Sequence, residues 1–166
     1  GRRYRYALWR RWDPAGQALL FIMLNPSTAD EADDDPTIRR CLGFARAWGF
    51  GALLVGNVFA FRSSRRADLA SSADPVGPAN ESHLRRLATA ASTVVVAWGT
   101  GVATVRASEP WPAPGLESDS LCLGTTKAGY PCHPLYVPGA TCPVPFRLGP
   151  AGKALNSIEP RAILLP

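Results

Sequence analysis

No apolar stretch in the 166-residue sequence is long enough to span a bilayer, and its opening residues carry no signal-peptide pattern. Both absences lead to the expectation of a cytoplasmic protein with no membrane partner. Cysteine is sparse, and none of Cys41, Cys122, Cys132 and Cys142 belongs to a C-x-x-C pair. Cys132 and Cys142 flank His133 at a spacing that is weak for a metal site, so the four read as free thiols. No internal repeat is present, and nothing calls for a metal or a cofactor.

What is there is a globular composition, 46% hydrophobic and 19% charged, at a length that buries a core without staples. One domain over 1–148 is expected, then a tail, 149–166, with no interpretable pattern. Sixteen prolines and fifteen glycines make for many loops. Eighteen basic against thirteen acidic residues leave a net charge of +5, and Arg2, Arg3, Arg5, Arg10 and Arg11 crowd the first eleven positions. A polyanionic partner and an arginine-protected edge strand both account for that crowding.

The chain is organised around Leu19–Asp30. Its apolar run Leu19–Leu24 predicts a strand buried on both faces, stopped by Asn25-Pro26 because proline cannot donate to a ladder. A polar, acidic loop follows, with Asp30, Glu31, Asp33, Asp34 and Asp35. Asp35-Pro36 then reads as N-cap and first residue of a helix to about Trp48, closed by Gly49. A buried strand opening into a polar loop and a helix is where α/β proteins place their chemistry.

Tyr4–Trp9 and the turn Asp13–Gly16 predict a β-hairpin into Gln17–Leu24. Ala52–Ala60 is a second buried strand, Thr93–Gly99 a third and Leu121–Gly124 a short fourth. A helix from about Pro78 to Ala91 separates the second and third. Strands alternating with helices indicate a mostly parallel, four-stranded α/β sheet covered on both faces, plus the hairpin. Asn57 ends the second strand either as a loop-capping amide or as a reader of a planar ligand edge. Phe59 and Phe61 are core aromatics or a stacking platform. Ser63–Pro78 reads as a polar loop, in which Ser63–Arg66 is solvated or a phosphate contact. His83 reads as a surface histidine, whereas His133, in a Cys132-His133 pair pinned between Pro131 and Pro134, is a functional candidate.

Taken together, Leu24–Ser27, Asn57, Val96–Gly99 and His133-Pro134 resemble the motifs of the uracil-DNA glycosylase superfamily in order and strand context. More closely, Tyr4–Leu148 resembles the bacterial domain-of-unknown-function family 1643. That family's hallmarks stand here as Leu24–Asp30, Asp35–Arg40, Asn57–Ala60 and Gly129–Tyr136. The superfamily resemblance implies a three-layer α/β/α sandwich. It also implies hydrolysis of an N-glycosidic bond on a nucleobase-containing substrate, whether nucleic acid, nucleotide or nucleoside. Asn25 or Asp30 would hold the attacking water, with Asp33 or Asp34 as substitutes; Asn57 would read the base and His133 would stabilise its departure. Pro26, Ser27 and Tyr136 would complete the pocket, Phe59 or Phe61 would stack on the base, and Arg39, Arg40, Arg62 and Arg65 would meet phosphates. Two differences stand out: the first motif has Leu24 and Ser27 where the superfamily has glycines, and the late motif is His-Pro-Leu-Tyr rather than His-Pro-Ser-Pro. A free nucleoside or nucleotide as substrate, a non-catalytic nucleotide or nucleic-acid binder, and Mg²⁺-dependent hydrolysis by Asp30, Asp33, Asp34 and Asp35 are the alternatives. No feature names a protein partner.

Overall fold

All six residues of strand β2 (Ala18–Met23) are buried, as an unbroken apolar run requires. In the computed structural model, which describes residues 3–29, 33–104, 120–149 and 152–155, this strand is the centre of one six-stranded mixed sheet. Strands β3 (Ala52–Asn57) and β4 (Thr93–Val96) pair with it in parallel on either side, and β5 (Ser120–Cys122) adds in parallel beyond β4. Strands β1 (Leu8–Arg11) and β6 (Val144–Phe146) are antiparallel edges, giving the order β1-β3-β2-β4-β5-β6.

The expected N-terminal hairpin does not form: β1 pairs with β3, Leu8 opposite Val55 and Arg11 opposite Ala52, not with β2. Both edges of β2 are taken by apolar parallel partners, and β1, with Arg10, Arg11 and an exposed Trp9, suits an edge that meets water. The turn after β1 steps across the start of β3, with Trp12 and Asp13 N–H donating to Gly51 O and Gly51 N–H to Gln17 O. The edge strand β6 had no clear signal, since Pro145 interrupts it; proline is tolerated only at such an edge.

Helix α1 (Pro36–Ala47) starts as its sequence predicts, the Asp35 carboxylate accepting Ile38 N–H at 2.9 Å, and Gly49 follows it at φ +83°. Its Ile38, Cys41 and Phe44 pack with Leu19, Phe21 and Met23 on one face of the sheet. On the other face, Leu69 of α2 (Arg66–Ser71) and Leu84 of α3 (Asn80–Ala90) pack with Leu20 and Ile22. Helix α3 approaches so closely that a Cβ on Gly56 would lie 2.6 Å from Leu84 Cδ2. Helix α2 falls in a stretch that reads as loop, because six residues, half of them polar, carry too little periodicity. The four cysteines are free thiols, and burial raises those of Cys41 and Cys122 above the ordinary 9.0, Cys122 to about 11.

Candidate active site

The order of the sheet reverses at β2. The crossing through α1 returns the chain to β3 on one side, and the crossing through α2 and α3 delivers β4 to the other. Such a switch point opens a crevice beyond the carboxyl ends of the two diverging strands. A pocket of about 270 Å³ lies there. The end of β2 contributes Met23, Leu24, Asn25 and Ser27, the end of β4 contributes Trp98, Gly99 and Thr100, and the loop after β5 contributes Cys132, His133 and Tyr136.

Asn25 is held in one orientation. Its Nδ2 donates to Pro26 O at 3.0 Å and Ser63 O at 2.7 Å, so the polar atom left over is the acceptor Oδ1. His133 is held in the complementary sense. It caps the 3₁₀ turn Pro134–Tyr136, its Nδ1 accepting Leu135 N–H at 3.3 Å. Burial keeps the imidazole below its ordinary 6.5; Asp35 opposes that shift and Arg66 reinforces it. A neutral ring whose Nδ1 accepts must carry its proton on Nε2, which makes His133 a donor at neutral pH.

The loop bearing His133 is fixed from two sides. Gly99, at φ +66°, donates its N–H to Pro131 O at 2.9 Å, and a Cβ there would come within 3.6 Å of His133 Cβ. Arg40 of α1 reaches across to donate from Nε to Pro134 O at 3.3 Å and from Nη2 to Val137 O.

Of the residues singled out from sequence, Asn25, Ser27, Arg65, His133 and Tyr136 line this one pocket, Tyr136 with 80% of its surface exposed. Pro26 is buried behind it, its carbonyl accepting Ser63 N–H. Asn57 is 1% exposed, outside the lining, with neither amide atom hydrogen-bonded among the described residues. Phe59 is in the core below α3, and Phe61 packs edge-on against Tyr4 with Arg3 over its ring. Arg39 donates to the Asp34 carbonyl and Arg62 to the Ala29 carbonyl, both outside the lining. Asp34 pairs with Arg10 at 2.9 Å, and Asp30 lies outside the described residues. Asp35 lines the pocket, but its oxygens accept Ile38 N–H and Ala29 N–H.

Arg66, read from sequence within Ser63–Arg66 as loop or phosphate contact, also lines the pocket, as do Trp98, part of the Val96–Gly99 motif, and Arg5, to which no pocket role was given. Trp98 carried a usable signal, since it follows the apolar run of β4. Arg5 carried none; a long-range bond, Arg5 N–H to Ala60 O, brings it there.

Over residues 5–135 the sequence matches a family described as protein of unknown function (DUF1643). The chain belongs to that family. No curated protein and no solved structure matches it.

Proposed function

We propose that the pocket hydrolyses an N-glycosidic bond of a nucleobase-containing substrate, on a fold of the uracil-DNA glycosylase type. The observation that carries this reading is the pairing of hydrogen-bond roles in one cavity. Asn25 presents an acceptor and His133 a donor, held beyond the carboxyl ends of the parallel strands β2 and β5 on either side of β4. The reaction needs those two functions. A water donating one O–H to Asn25 Oδ1 is oriented toward the anomeric carbon. As its oxygen bonds to that carbon, the carbon–nitrogen bond breaks, its electron pair leaves with the base, and the proton shed by the water passes through solvent to the departed base. His133 Nε2–H meets the charge that develops on the base. Tyr136, exposed at the mouth with its ring 5.6 Å from that of His133, offers an aromatic face to the base.

Base release is measured by mass spectrometry on single- and double-stranded DNA carrying uracil, mismatched or modified bases, and on free nucleosides and nucleotides. Asn25→Ala and His133→Ala serve as controls. Release from one pool, lost in both variants, is the expected result. Silence across every pool overturns the hydrolase, and retention of a nucleotide by the silent protein would make it a binder.

A further inference from the structure

The charge in the pocket wall is unbalanced. Arg5, Arg65 and Arg66 stand there against one carboxylate among the described residues, Asp35, which is already engaged by two backbone N–H groups; Arg5 itself donates from Nη1 to Ala29 O. Arg65 has a loose, water-exposed partner in Asp68 at 3.5 Å. The Arg66 side chain makes no hydrogen bond or ion pair among the described residues. Its guanidinium lies beside Gly101, with Nε 3.6 Å from where a Cβ would be, an ordinary contact distance.

Of the four arginines expected to meet phosphates, Arg65 lines the pocket and the other three are engaged elsewhere. Arg39, Arg40 and Arg62 donate to the backbone carbonyls of Asp34, of Pro134 and Val137, and of Ala29. A strand is held through successive phosphates and calls for a track of cations. Cations gathered on one wall of a small cavity suit a single compact anion, and guanidinium forks match a phosphate's geometry.

We infer that the wall formed by Arg5, Ser63, Ser64, Arg65 and Arg66 binds the phosphate of a free nucleoside monophosphate whose base lies toward His133. This rests on the pocket reading proposed above and narrows its substrate class. A monophosphate brings close to two negative charges at neutral pH, and Arg66 is free to take one oxygen edge as a bidentate partner.

Calorimetric titration tests it with the common ribo- and deoxyribonucleosides, their 5′-monophosphates, inorganic phosphate and a single-stranded oligonucleotide. The proteins are wild type, Arg66→Met, Arg66→Lys and His133→Ala. A monophosphate should bind about tenfold to a hundredfold more tightly than its nucleoside. Arg66→Met, on an exposed side chain, should erase most of that preference and Arg66→Lys restore part of it, while His133→Ala leaves it in place. Equal binding of nucleoside and monophosphate overturns the inference, as does binding of no probe. So does an oligonucleotide that binds more tightly than the monophosphate with a steep, many-ion salt dependence. Base release reads out separately. Monophosphate binding without release keeps the phosphate wall and removes the hydrolase; release with equal kcat/KM from nucleoside and monophosphate does the reverse.

Discussion

Asn25 and Asn57 look alike in sequence, each an amide closing an apolar run, yet the fold treats them as opposites. Asn25 is half-exposed, lines the pocket and uses its Nδ2 on two carbonyls. Asn57 is sealed in, with both amide atoms unbonded among the described residues. The difference comes from how far strand pairing continues. Backbone bonds run past Asn57, Val58 N–H to Met23 O and Phe59 N–H to Leu24 O, both at 2.9 Å, so Asn57 is inside the ladder. On the other side of β2 the last such bond is Ala97 N–H to Ile22 O, and beyond it the chains diverge around Asn25. A strand end becomes a site where its neighbours part, and a polar residue alone does not mark that point.

The largest expected effect separates the two asparagines by turnover. Removing a preorganised partner of the reacting atoms should lower base release by about 10²–10³-fold, for Asn25→Ala as for His133→Ala. An Asn25→Ala variant that keeps its kcat would place the water elsewhere and dissolve the functional half of the contrast.

Stability should move in opposite directions at the two positions. Asn57→Leu, with as many side-chain heavy atoms, replaces an unpaired buried amide and should raise stability by about 1–2 kcal/mol. Asn25→Ala removes the bridge between the Pro26 and Ser63 carbonyls and should lower it by about 1 kcal/mol. Urea unfolding midpoints at constant m read both changes. A destabilised Asn57→Leu would mean that its amide has a partner in solution; a stabilised one that also binds nucleotide more weakly would make Asn57 a group kept unpaired for a ligand.

The same contrast explains what could be read from the sequence. The apolar runs of β2, β3 and β4, the capped start of α1 and the loops at Asn25–Ser27 and His133–Tyr136 are local patterns, and local physics dictates them. The partner of β1 is not local: its alternation fits either neighbour, and competition for the edges of β2 decided it. Nor is the burial of Asn57, set by how many ladder bonds form beyond it. Phe59 and Phe61 follow suit, the first drawn into the core by its bond to Leu24 O. Arg5 reaches the pocket only because the chain bridges Tyr4 to Phe61, far off in sequence.

A smaller effect is expected at Asp35, which faces the pocket but is held as a helix cap. Asp35→Ala should cost about 1 kcal/mol, from the lost cap on α1, seen as a lower thermal midpoint. Asp35→Asn should cost little, because asparagine caps almost as well. If Asp35→Asn abolished base release outright, Asp35 would belong to the chemistry and not to the scaffold.

The finest test uses that pair of properties to read the charge on His133. Base release that needs the neutral ring, with its proton on Nε2, is intact above the His133 pKa and falls as pH drops through it. That midpoint lies below 6.5, because burial disfavours the imidazolium. Asp35 favours the imidazolium and Arg66 disfavours it. The acid limb should therefore shift down in Asp35→Asn and up, toward 6.5, in Arg66→Met. Stability follows the same sign: a depressed folded pKa makes the contribution of His133 complete above 6.5 and lost progressively as pH falls toward the folded value. With only two histidines in the chain, NMR titration against a His83→Gln background assigns the midpoint directly. Release that grows on acidification would instead make the imidazolium the donor, and would require the Leu135 N–H bond to Nδ1 to break during turnover.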